Sequence, residues 1–245
     1  MSRRSWPTKP ARMSGQDLRQ IDESVTSAFM NSQHVSLPTR ANAPVVIWLV
    51  ALTCLPEIVL TLLEASFFAG SGLRRQLLLH GAFWNGLLHG WEPLYALQRE
   101  AMFLTYALLH GGLLHLIGNM IALLALGGIA VARVGAKGFL LLYILSAIGG
   151  AAGFALLSGS ETPMVGASGA VFGLIGAWKF WEWQLRQHRR VSMRPLWRSL
   201  LGLVLLNLIL WVALSGLVAW EAHLGGFVAG VIFAALVTPT MRYRV

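Results

Sequence analysis

Ser168 stands in Gly166-Ala167-Ser168-Gly169 at the head of an apolar stretch, and a later apolar stretch carries Ala222-His223 followed by Gly225-Gly226. An unpartnered hydroxyl or imidazole is expensive to bury in hydrocarbon, so each of these residues needs a partner, and each suits the other. The pair has the chemistry of a nucleophile and its base. A third cluster reads His110-Gly-Gly-Leu-Leu-His115-Leu-Ile-Gly-Asn119. His115 and Asn119 are four apart, so on a helix their side chains share one face. Two hydrogen-bond donors on one face are what would hold the negative charge that appears on a carbonyl oxygen under attack.

The elements that must position these groups are long and apolar. The chain has 245 residues, 56% hydrophobic and 12% charged, and its mean hydropathy is +0.64. That is the composition of an integral membrane protein. Six windows approach the roughly 20 residues needed to cross about 30 Å of hydrocarbon. They run from about Val45 to Phe68, Phe103 to Val131, Gly138 to Leu157, Ala167 to Trp183, Leu196 to Leu214, and Val218 to Val237. Continuous runs of this length favour helices over the short alternating strands of a barrel. The expected fold is an all-α membrane protein, a bundle of six transmembrane helices with an interfacial outer loop between the first and second. Residues 1–43 form a polar, poorly ordered tail in this reading, 44–240 the membrane domain and 241–245 a short second tail.

Charge sets the topology. The formal net charge of +9 is concentrated before the first span, around Arg133 and Lys137, between Arg186 and Arg198, and at Arg242 and Arg244. The intervening segments hold only Arg74, Arg75 and Arg99. The positive-inside rule then puts both termini in the cytoplasm, in keeping with an even number of crossings, and the charge needs no nucleic-acid partner. Ser168 lies 18 residues before Arg186, His223 19 before Arg242, and His115 18 before Arg133. At 1.5 Å per residue all three sit about 27–28 Å from the cytoplasmic side, near the outer face.

The segment from about Gly70 to Glu100 is too broken to span and too apolar to float, with Leu77-Leu78-Leu79, Phe83-Trp84 and Trp91. It is expected to lie in the membrane interface. Small residues recur at four-residue spacing in Gly149/Gly153, Gly169/Gly173, Ala222/Gly226 and Gly226/Gly230, a pattern that lets helix backbones approach closely. Cys54 is the only cysteine and reads as a small apolar filler, so no intrachain disulfide can form. The first apolar run, behind a polar tail of over forty residues, reads as a retained anchor rather than a cleaved signal.

Three other chemistries fit less well. His110 and His115 are five apart, about 140° around a helix, whereas zinc helices place histidines four apart, so no metal or other cofactor is expected. Gly166-Ala167-Ser168-Gly169-Ala170 lacks the last glycine of the Gly-x-Ser-x-Gly elbow of soluble hydrolases. A transporter would show paired broken helices or an internal repeat, and neither is visible.

These residues resemble the rhomboid family of intramembrane serine proteases. The likeness rests on His110-x4-His115-x3-Asn119 in the second span, Gly166-Ala167-Ser168-Gly169 opening the fourth, and Ala222-His223-x-Gly225-Gly226-x3-Gly230 in the sixth. It covers about residues 45 to 240. It implies a bacterial-type six-helix core in the plasma membrane, with the site near the outer face. Ser168 would be the nucleophile and His223 the general base that later protonates the leaving amine, as a dyad without a carboxylate. The oxyanion would be held by the Ser168 N–H with His115 and Asn119; Gly166 would support that loop, and Phe172 would stack on the imidazole where relatives often carry Tyr. His110 would tie the outer loop to the second helix. The Trp-Arg pair that many relatives carry in the outer loop has its nearest candidate in Arg99-Glu100. Substrates would be single-span membrane proteins reaching the site from the lipid. The rival from another class is a non-catalytic relative that binds transmembrane helices for trafficking or quality control; such relatives usually lack the Ser or the His.

Overall fold

Pro44 opens the first helix at a position where its missing N–H leaves nothing unpaired. In the computed structural model, which describes residues 43–65 and 72–237, this helix is α1, Pro44–Glu64. It is followed by α2 (Leu73–Gly81), α3 (Gln98–Thr105), α4 (Leu113–Leu157), α5 (Ser168–Arg189), α6 (Arg194–Ala213) and α7 (Trp220–Leu236). Short 3₁₀ turns at Asn85–Leu88 and Tyr106–Leu108 flank α3. Among the described residues there is no strand, only one antiparallel bridge between Phe83 and Met164. The two expected tails fall almost wholly outside the described residues, as do 66–68 at the end of the first expected span.

α1, α4 and α6 are long and apolar enough to cross a membrane on their own account. α4 is two helices in one: at Gly135 the backbone turns to φ 73°, ψ 175°, which divides it into the arms 113–134 and 136–157. The loop expected between the second and third spans is therefore a single residue. Glycine is the residue that adopts this conformation without a Cβ clash. The second span also starts ten residues later than its hydropathy suggested, at Leu113. Residues 98–105 form the separate helix α3, and Gly111-Gly112, the latter at φ 134°, break the run between them.

α5 is less apolar and carries Lys179, Glu182 and Arg186 among its buried residues. All three are buried and paired: Lys179 Nζ lies 2.9 Å and Arg186 Nε 2.7 Å from the two oxygens of Glu182. Arg186 Nη1 also donates to the Ser192 carbonyl at 2.9 Å. Arg133 is buried too, its guanidinium 5.5 Å from the centre of the Trp181 ring. Two arginines expected in solvated loops thus lie inside helices, and the fourth span extends past Trp183 to Arg189.

Counting both arms of α4, six helices make the bundle, and its centre is built on glycine. A Cβ on Gly226 would strike the Gly169 carbonyl oxygen, one on Gly230 that of Gly173, and one on Gly225 that of Gly149. The second arm of α4, α5 and α7 therefore meet backbone to backbone, through the residues whose four-fold spacing predicted close approach. α6 stands at the periphery, with Leu196 alone of its residues buried.

The segment between α1 and α4, expected at the outer face, is folded on itself. Buried Gln98 accepts from the Leu94 N–H and donates to the Leu79 carbonyl, both at 2.7 Å. Thr105 Oγ1 donates to the Gly81 carbonyl at 2.8 Å. Arg74 forks onto both carboxylate oxygens of Glu57 at 3.0 Å and reaches Glu64 at 2.9 Å, pinning α2 to α1. Those hydrogen bonds hold the Arg74 guanidinium still further above its ordinary range. Trp91, Leu94 and Leu97 remain exposed on this segment, as an interfacial surface requires. Arg99 donates to the Trp91 carbonyl at 2.9 Å.

Candidate active site

The chain enters α5 through a strand-like stretch held at three successive points. Phe83 and Met164 exchange backbone hydrogen bonds at 2.9 Å, the Gly166 N–H donates to the Tyr106 carbonyl at 3.0 Å, and the Ala167 N–H reaches His110 Nε2 at 3.4 Å. Tyr106 is itself fixed by its hydroxyl, which donates to the Ala147 carbonyl at 2.8 Å. Gly166 sits at φ 123°, and a Cβ there would lie 2.6 Å from His115 Cε1. Glycine at 166 is thus required twice, by the backbone and by the imidazole stacked over it.

Ser168 follows as the first helical residue. The first closing bond of α5 runs from the Val171 N–H to the Ala167 carbonyl at 3.0 Å. The N–H groups of Ser168, Gly169 and Ala170 precede that bond, at the positive end of the helix dipole. Among the described residues the Ser168 hydroxyl itself makes no hydrogen bond. It is half-buried, as is His223.

His223 reaches this helix start from α7. Its ring lies parallel to Phe172, with centroids 4.1 Å apart and 3° between planes. Phe172 is one turn along α5 from Ser168, so the stack holds the imidazole over the face that carries the hydroxyl. On its other side, His223 Nδ1 is 2.6 Å from Oδ1 of Asn207 on α6. Sequence reasoning missed Asn207. The signal was there: between Ser199 and Ser215 it is the one polar side chain apart from the Trp211 indole.

The second cluster is placed differently from expectation in two respects. His110 is buried and pairs with the Ser168 loop through Ala167, with its ring edge-on to His115 at 5.1 Å, rather than tying the outer loop to α4 alone. Asn119 is buried, and its Nδ2 donates to the His115 carbonyl of its own helix at 3.0 Å, so its carboxamide is not turned toward Ser168. His115 is exposed and does face the loop. Its Nδ1 accepts from the Gly111 N–H at 3.4 Å, which leaves the ring proton on Nε2, the nitrogen standing over Gly166. Among the described residues no group of three His, Cys, Asp or Glu side chains is placed to hold a metal ion.

Fold and site together define an integral membrane protein with an all-α bundle in which α5, which begins at Ser168, and α7, which carries a histidine stacked on Phe172, pack along a glycine seam. The Rhomboid domain model matches residues 98–240, more than half of the chain. RHOMBOID-like protein 5 of Arabidopsis thaliana is 36% identical over 141 residues, 55% of this chain and 44% of that protein. RHOMBOID-like protein 4 of the same plant is 38% identical over 54% of this chain and 33% of its own length. Rhomboid protease GluP of Bacillus subtilis (strain 168) is 32% identical over 54% of this chain and 25% of its own length. The chain belongs to the rhomboid family, and it spans less than half the length of these relatives.

Proposed function

We propose that the chain is an intramembrane serine endopeptidase that cleaves transmembrane segments of single-span proteins with Ser168 and His223. The observation that carries the reading is the Phe172–His223 stack at 4.1 Å beside the start of α5, which sets an imidazole against the helix that begins with Ser168. In this mechanism His223 Nε2 takes the Ser168 proton as Oγ bonds to the substrate carbonyl carbon. The proton then passes to the leaving amine as the C–N bond breaks, and water hydrolyses the acyl-enzyme by the same relay. The oxyanion lies at the Ser168 N–H, with His115 Nε2–H above Gly166 as second donor. Asn119 joins as a third once its carboxamide turns from the His115 carbonyl. The half-burial of Ser168 and His223 and the exposure of His115 support access for water and for a substrate arriving from the lipid.

The basic residues support an orientation with both termini cytoplasmic and the site toward the opposite face. A bacterial plasma membrane is the location this reading proposes. Cleavage of a model single-span substrate in detergent tests the function. Wild type should cleave, and Ser168→Ala and His223→Ala should each abolish the product while eluting and melting as wild type does. Retained cleavage in either purified variant removes the dyad. A wild type that binds substrate without cutting it favours a helix-binding, non-catalytic rhomboid.

A further inference from the structure

An asparagine in a peripheral helix whose residues from 200 to 213 carry no other polar side chain but the Trp211 indole is costly unless it meets a polar partner. The Asn207 carboxamide meets one: Oδ1 stands 2.6 Å from His223 Nδ1. Among the described residues this is the one side-chain hydrogen bond that joins α6 to another spanning helix. A carbonyl oxygen at that distance accepts, so Nδ1 carries the imidazole proton and Nε2 keeps its lone pair. The Phe172 stack fixes the plane of the ring but not its rotation within that plane. The hydrogen bond to Asn207 fixes the rotation and the tautomer.

We propose that Asn207 is a positioning residue for His223, the uncharged counterpart of the carboxylate that orients the base in a serine triad. The inference rests on the protease reading and deepens it from a dyad to a Ser168-His223-Asn207 arrangement across α5, α7 and α6. As Oγ bonds to the carbonyl carbon, the Ser168 proton moves to Nε2, and it leaves on the departing amine. The Nδ1–H stays on Asn207 Oδ1 throughout, and Asn207 is neutral at every step. It neither gives nor takes a proton; it keeps Nε2 aimed.

The test uses the full chain in detergent micelles as wild type, Asn207→Leu and Asn207→Asp, with two readouts. Nitrogen NMR of ¹⁵N-histidine protein, assigned by difference against His223→Gln, reads the tautomer without any activity. Cleavage of a fluorogenic single-span peptide reads kcat and KM separately. The expected results are a wild-type His223 protonated at Nδ1 and an Asn207→Leu protein with mixed tautomers. In that variant kcat falls about 10- to 100-fold, the usual effect of removing a histidine's outer partner, and KM stays within about twofold. Asn207→Asp, which retains the acceptor, should keep the Nδ1–H tautomer and a kcat within about fivefold of wild type. If Asn207→Leu fails to fold, Asn207→Ala takes its place with the same expectations. A wild type that cleaves while His223 is protonated at Nε2, or an Asn207→Leu kcat equal to wild type, overturns the proposal, and the cleavage itself keeps the protease reading. A wild type that shows the expected tautomers but no cleavage removes the protease reading and leaves the Asn207–His223 contact in place.

Discussion

Gly166 does more for the site than its lack of a side chain suggests. Its φ of 123° turns the chain into α5, and its bare Cα is the floor on which the His115 imidazole stands. Gly166→Ala would strain the backbone and push His115 away from the Ser168 loop at once. On the proposed mechanism His115 is an oxyanion donor, and displacing one such donor lowers kcat by about 100-fold. The expected result is that loss in single-turnover cleavage, with substrate affinity unchanged. Unchanged turnover would mean that His115 contributes nothing at its present position. At this scale Ser168, His223 and His115 stood out as candidates because polar side chains interrupt apolar runs, and the Phe172–His223 stack was expected from the resemblance alone. The turned-away carboxamide of Asn119 did not, because spacing assigns a face and says nothing of the rotamer that bonds a helix's own carbonyl.

Between elements, the contact that matters is the glycine seam. Gly226→Val sets a branched side chain against the Gly169 carbonyl oxygen, and backbone cannot step aside as a side chain can. The overpacking should cost about 3 kcal/mol and appear as a lower melting temperature with parallel loss of cleavage, since α7 carries His223 away from α5. Gly202→Ala on α6, where a Cβ meets nothing within 4 Å, is the control and should melt at or slightly above wild type. The outer segment offers a second test. Arg74→Ala leaves Glu57, 1% exposed, without its forked partner, and should destabilise by about 3 kcal/mol; adding Glu57→Gln should recover much of the loss. A thermal melt in which the double variant is no better than the single would show that the pair is not what ties α2 to α1. The seam was readable from small residues four apart. The one-residue turn at Gly135 was not: Arg133 and Lys137 look like loop charges, yet Arg133 is buried over Trp181. The same masking hid the length of α5, where Lys179 and Arg186 share the Glu182 carboxylate inside the span.

For the molecule as a whole, hydropathy pointed to the class, an all-α membrane bundle, because lipid forces spanning segments to be continuous and helical. It could not give the folded outer segment, whose order depends on Gln98, Thr105 and Tyr106 reaching backbone carbonyls far along the chain. Nor could it give Asn207, since its partner is 16 residues away on another helix. On the proposed mechanism this assembly makes Ser168 a nucleophile, whereas a hydroxyl in a merely structural place is inert. The most direct measurement is covalent labelling of the purified protein by a serine-directed fluorophosphonate, with the modified residue located by mass spectrometry. The account predicts one adduct, on Ser168, absent in Ser168→Ala and strongly slowed in His223→Ala. A wild type that stays unlabelled while folded, or that labels equally well without His223, would contradict it.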